Sequence, residues 1–99
     1  MADVPRYRTL TEHEVYTAQL HDFMRKYSPD VVDAALLGIY WGIAKNPDAY
    51  PRTTWNLRQA KSRSFGTIPA FRVFFQIQDA DVVLLLWIEE VGVIEETNQ

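Results

Sequence analysis

FRVFFQIQDADVVLLLWI, from Phe71 to Ile88, holds two strands and the turn between them. Phe71 to Gln78 is rich in aromatic and β-branched residues, and Asp79-Ala80-Asp81 is a tight acidic turn. Val82 to Glu89 is the most strand-like run of the chain. Because Val82 to Ile88 contains no polar residue, it predicts a central strand covered on both faces. Just upstream, Ser62 to Thr67 predicts another strand, joined to Phe71 through Ile68-Pro69-Ala70. These three make an antiparallel meander. Downstream, Glu90 to Gln99 is acidic and is expected to be a loose tail.

Further upstream the period changes from two to 3.6. Asp48 to Ala60, with Pro51 and two threonines, predicts an irregular connection. Pro29 to Lys45 predicts a helix with Ser28 as N-cap and Pro29 at its first position, ended by Asn46-Pro47. It is apolar nearly all round between Ala34 and Ala44, so it is expected to lie between another helix and the sheet. Gly38 and Gly42 in that run suggest close approach of a neighbouring element. Tyr16, Leu20, Phe23, Met24 and Tyr27 recur at helical spacing, behind a capping box of Thr11 and Glu14. Pro5 to Leu10 predicts a short edge strand. The order is βααβββ: an α+β domain with a helical hairpin on an antiparallel sheet, residues 1–99 forming one unit.

Apolar residues make up 47% of the 99-residue chain and charged residues 23%, an ordinary globular balance. A chain of this length buries roughly 60–65% of the surface its unfolded form exposes, enough for one core. There is no cysteine, which excludes disulfides, thiolate metal sites and a cysteine nucleophile. His13 and His21 stand two helical turns apart, too far to share a metal, and are expected on the surface. No metal or other cofactor is expected. No signal-like run opens the sequence and its longest apolar stretch is half a membrane span, so no membrane partner and a cytoplasmic location are expected.

The net charge of −3 conceals an uneven distribution. Residues 51–72 carry Arg52, Arg58, Lys61, Arg63 and Arg72 with no acid, whereas residues 73–99 carry six acids and no base. A locally basic segment can meet a phosphate backbone despite a negative total; a solvated basic loop is the plainer alternative.

The second half resembles the RelE/ParE superfamily of bacterial type II toxins. The resemblance rests on Leu57-Arg58, the strand Phe71-Arg72-Val73-Phe74-Phe75, the acidic turn and the hydrophobic strand after it. Upstream, the helical hairpin through Ser28-Pro29-Asp30 and its exit Lys45-Asn46-Pro47-Asp48 fit the same pattern, so the likeness covers about residues 7 to 90. RelE-like members, the resemblance implies, are ribosome-dependent mRNA endonucleases (mRNA interferases), and Arg72 occupies the place of their strand arginine. It is the candidate catalytic residue, able to hold a phosphate in two-point contact. Such nucleases finish the last strand with basic residues and a Tyr or His. Here no Lys, Arg, His or Tyr follows Arg72, and the corresponding region is acidic.

ParE-like members, by the same resemblance, inhibit DNA gyrase by binding and need no catalytic set. That reading is preferred over the endonuclease. A non-toxic interaction module is the third alternative. The partners implied are a cognate antitoxin, laid over the sheet and hairpin, and either gyrase or the ribosome with its mRNA. An exposed apolar patch is expected where the antitoxin docks. The candidate target-binding residues are Trp55, Arg58, Lys61, Arg63 and Arg72. Arg72 contacts phosphate or pairs with a carboxylate such as Asp79 or Asp81. Trp55 stacks on a base or anchors its loop. Trp41 and Trp87 are expected in the core.

Overall fold

The computed structural model describes residues 7–63 and 69–91. Its elements are β1 (Thr9–Glu12), α1 (Glu14–Tyr27), α2 (Pro29–Lys45), β2 (Arg52–Thr54), β3 (Leu57–Lys61), β4 (Ala70–Ile77) and β5 (Val82–Val91), with one 3-10 turn at Pro47–Ala49. The strands form one sheet in the order β1-β5-β4-β3-β2. β5 is antiparallel to β4 and parallel to β1, so the sheet is mixed rather than wholly antiparallel. Two helices cover one of its faces.

The expected edge strand at Pro5–Leu10 is found later, at Thr9–Glu12, where Thr9 to Glu12 pair with Val82 to Leu85. That pairing takes Thr11 out of its expected cap, and its Oγ1 donates to the Val83 carbonyl at 3.2 Å. His13, exposed as expected, caps α1 instead: its Nδ1 accepts the Val15 amide at 3.1 Å. Ser28 does occupy the cap of α2, but with φ of 88° and no side-chain cap bond. Its own amide closes α1 on the Met24 carbonyl at 2.9 Å.

Asp48 to Ala60, expected to be irregular, holds the 3-10 turn, β2 and most of β3. Its mixed, polar pattern hides a two-residue hairpin whose ladder depends on β4. Of the strand expected at Ser62–Thr67, Ser62 extends β3 by exchanging hydrogen bonds with Phe71, both 2.8 Å. Residues 64–67 lie outside the described residues, as does Ile68 of the expected connection. β5 runs through Val91, so Glu90 belongs to a strand and not to a tail; residues 92–99 lie outside the described residues.

The core lies between sheet and helices. Phe71, Val73, Phe75, Val83, Leu85 and Ile88 meet Tyr16, Val32, Leu36, Ile39 and Ile43 there. Each large apolar side chain so removed from water contributes about 1.5–3 kcal/mol. Phe71 is met edge-on by Phe23 at 5.1 Å and by Tyr27 at 6.1 Å. Tyr50 packs edge-on to Phe75 at 5.8 Å, and its hydroxyl fills the space where a Cβ on Gly42 would stand. The close approach expected of the glycines is therefore made at Gly42. Gly38 faces open space.

Two expectations about cover fail. α2 lies between α1 and the sheet as expected, but its remaining side is exposed: Leu37 is 55% exposed and Trp41, expected in the core, 58%. β5 is buried on its helix side, while the other side is half-exposed.

Candidate functional site

Past Phe74, β5 carries an extra residue. Phe74 faces Trp87 and Phe75 faces Leu85, leaving Leu86 unmatched in a β-bulge. Without it, simple alternation would place Trp87 and Glu89 on the helix side with Val83 and Leu85. With it, Ile88 and Glu90 turn inward while Trp87 and Glu89 turn to the open face. β1 ends opposite Leu85, and beyond that point the Gln19 side chain of α1 accepts the Ile88 amide at 2.8 Å.

The bulge assembles two rows across the open face. Lys61, Arg72 and Glu89 stand in register on β3, β4 and β5, with Gln59, Phe74 and Trp87 in the row beside them. Arg72 Nη1 lies 3.8 Å from Glu89 Oε1, and Trp87 Nε1 donates to Glu89 Oε2 at 3.4 Å. The carboxylate that Arg72 meets is thus the cross-strand Glu89; Asp79 and Asp81 lie at the other end of the hairpin. Phe74 and Trp87 stack at 4.5 Å with 20° between their planes. Trp87 is therefore an open-face residue and not part of the core.

Two open grooves flank β3. One, of about 310 Å³, is lined by Tyr50, Pro51, Gln59, Lys61 and Arg72. The other, of about 340 Å³, is lined by Gly38 and Tyr50 together with Lys61, Ser62 and Arg63. Lys61, Arg63 and Arg72 consequently share one end of the sheet. Trp55 does not join them: it sits in the β2–β3 turn at the other end of β3, with φ of 41° and 85% exposure. It anchors nothing to the core. Arg58 is likewise apart, its guanidinium turned to the Asp48 and Tyr50 carbonyls at 3.3 and 2.7 Å and to Asp48 Oδ1 at 3.7 Å. Its Nε is buried without a partner. Arg58 therefore ties the 3-10 turn to β3.

Glu90, next to Glu89 in sequence, serves the opposite face. It accepts from the Tyr27 hydroxyl at 2.7 Å and from Lys26 Nζ at 3.0 Å. Partial burial pushes its carboxyl up, but these two donors outweigh that and hold it below the ordinary value. Deeper in, Tyr16 and Tyr40 share a 2.5 Å hydrogen bond. Burial pushes the Tyr16 phenol far up, and pushes Tyr40 up to about 12. Both stay neutral over the physiological range and have no acid–base role there. In the sequence Glu89 and Glu90 are equal candidates for a general base with no acid partner; the bulge is what sets Glu89 beside Arg72.

Among the described residues there is no group of three or more His, Cys, Asp and Glu side chains that could hold a metal ion. None of their helices is long and apolar enough to cross a membrane.

No protein-family model and no curated protein matches the chain. Solved structures do. A chain of the toxin–antitoxin complex RelBE2 from Mycobacterium tuberculosis superposes with a TM-score of 0.64 at 17% identity, over 91% of this chain and 98% of that one. TrmO from P. aeruginosa gives 0.53 at 17% identity, over 88% of this chain but 35% of that one. Two helices on a five-stranded mixed sheet, wound in this order, are thus a RelE-like α+β fold.

Proposed function

We propose that this chain is the toxin-type component of a toxin–antitoxin pair, restrained by a cognate antitoxin and acting in the cytoplasm by binding its target, with DNA gyrase as that target. Likeness to a chain of a toxin–antitoxin complex supports the first half of this reading. One observation carries the second: Arg72 is opposed at 3.8 Å by Glu89. A phosphorane forming at Arg72 would build negative charge beside a carboxylate, which opposes it. Tyr50 lines the same groove, but its hydroxyl lies against Gly42, away from Arg72. The remaining surface is suited to contact: Trp87, backed by the buried Phe74, stands beside an arginine, the residue types that dominate binding energy at interfaces. The antitoxin covers this open face.

The same row favours a second reading, an mRNA endonuclease. Glu89 would take the proton of an RNA 2′-hydroxyl, whose oxygen attacks the phosphorus. Arg72 would hold the phosphate and Lys61 would protonate the departing 5′-oxygen, leaving a 2′,3′-cyclic phosphate and a 5′-hydroxyl.

Two measurements decide between them: gyrase supercoiling with the purified chain, and mapping of RNA 5′ ends within minutes of induction in a bacterium. Inhibited supercoiling that is relieved by Trp87→Ala, with no new RNA ends, is expected. New ends in phase with codons, lost in Glu89→Gln, would replace the binding reading with the nuclease. Normal growth with neither effect would overturn both and leave an interaction module.

A further inference from the structure

The outward face of α2 is met by Tyr7, edge-on to Trp41 at 5.4 Å, and is otherwise exposed among the described residues. Asp30, Ala34, Leu37, Gly38, Trp41 and Lys45 recur at steps of three and four residues, so they form one stripe along the helix, and all six are exposed. Leu37 and Trp41 also border an almost wholly apolar groove of about 410 Å³ closed by Tyr7, Leu10 and Tyr40. Bare apolar side chains that adjoin such a groove mark an interaction surface more often than scattered ones do.

The stripe has polarity. Asp30 lies in the first turn and Lys45 in the last, and neither makes an ion pair among the described residues. It also contains a glycine that no contact among the described residues requires. A Cβ on Gly38 meets no atom within 4 Å, unlike one on Gly42. Glycine is a poor helix former, so its place on an exposed stripe is accounted for by a second helix approaching closely from outside.

We propose that this stripe is a two-fold interface with a second copy of the chain. A two-fold contact needs a patch complementary to itself. Laid antiparallel about an axis between Leu37 and Gly38, the stripe sets Asp30 against the partner's Lys45, Ala34 beneath the partner's Trp41, and Leu37 against the partner's Gly38. Acid meets base at both ends, and large meets small between them. A parallel arrangement would oppose acid to acid and base to base. α2 spans about 25 Å, so one helix pair buries an area at the low end of specific interfaces, and the dimer dissociates on the order of micromolar concentrations. Ala34 and Gly38 also border the groove of Lys61 and Arg63, but the dimer is read by mass alone, so its test is separate from that of the target and of the nuclease question.

Sedimentation equilibrium of the full chain, from about 1 µM to 1 mM, tests this by mass action. A concentration-dependent rise from monomer to dimer mass is expected. Gly38→Leu, whose Cβ meets no described atom, keeps its thermal transition but weakens the dimer by more than roughly tenfold, because the space taken by the partner's Leu37 is filled. Asp30→Lys and Lys45→Asp each weaken it by roughly tenfold, since every contact occurs twice. The double charge swap restores it, which a merely local effect on the helix would not do. A chain that stays monomeric throughout, whatever other protein then occupies the face, overturns the proposal. So does a dimer indifferent to Gly38→Leu, or a swap no tighter than its parents.

Discussion

On the helix side of β4 and β5 stand Phe71, Val73, Phe75, Val83, Leu85 and Ile88, none more than 2% exposed. On the other side of the same strands stand Arg72, Phe74, Gln76, Leu84, Trp87 and Glu89, in part charged and in part aromatic. The first face stabilises the molecule by removing apolar surface from water. The second does so chiefly through Phe74, buried under Trp87, and otherwise presents what a partner would touch. Two neighbouring glutamates show the division: Glu90 is tied to Tyr27 and Lys26 beneath the sheet, Glu89 to Arg72 above it.

If the division holds, Phe75→Ala on the covered face costs about 3–5 kcal/mol. Phe74→Ala, whose ring is 9% exposed but is covered by Trp87 rather than by a helix, costs less, about 1.5–3 kcal/mol. Equal losses in urea unfolding would break the comparison.

Next in size is the alkaline limit, which belongs to the covered layer. Burial raises Tyr40 from 10.0 to about 12, the Tyr16 hydrogen bond opposing this and Glu12 and Asp33 adding to it. A group raised in the folded state contributes stability that is present below its unfolded value and lost as pH rises toward the folded one. Stability is therefore expected to fall between about pH 10 and 12, by about 3 kcal/mol from Tyr40 alone. Tyr40→Phe flattens that decline when unfolding midpoints are followed against pH.

The two glycines of α2 sharpen the contrast further. Gly42→Ala drives a methyl into the Tyr50 hydroxyl and costs about 1–3 kcal/mol. Gly38→Ala meets nothing and stabilises by about 0.5–1 kcal/mol, read from thermal melts in dilute solution. The smallest effect on stability is that of Arg72→Ala, within about 1 kcal/mol because the pair with Glu89 is half-exposed. The same substitution is expected to abolish growth arrest on induction; undiminished arrest would remove Arg72 from the site.

Much of this was legible in the residues. Helix bounds followed from Pro29 and Asn46-Pro47, and the β4–β5 hairpin from its acidic turn, where Asp79 Oδ1 accepts the Asp81 and Val82 amides at 2.7 and 3.0 Å. What escaped has physical causes. An apolar run does not say which of its sides stays bare, so Trp41 is expected in a core that does not reach it. A capping box is a local pattern, and the long-range pairing of β1 with β5 overrode it at Thr11. Of the candidate site, the cations Lys61, Arg63 and Arg72 were named and do come together, whereas Arg58 and Trp55 do not. The bulge was invisible because VVLLLWI is apolar in either alternation.

That single unmatched residue also makes the strand sensitive to length as well as to content. Deleting Leu86 removes the extra residue and lets Leu85 and Trp87 follow Phe75 and Phe74 in an unbroken ladder, with Trp87 and Glu89 still on the open face. Deleting Ile88, past the bulge, instead turns Glu89 into the helix layer and Glu90 into solvent, a buried carboxylate in place of an isoleucine. Along this strand, then, a change of length is mild at the bulge and harsh beyond it, and variation compatible with the site has to preserve the alternation from Trp87 to Glu90.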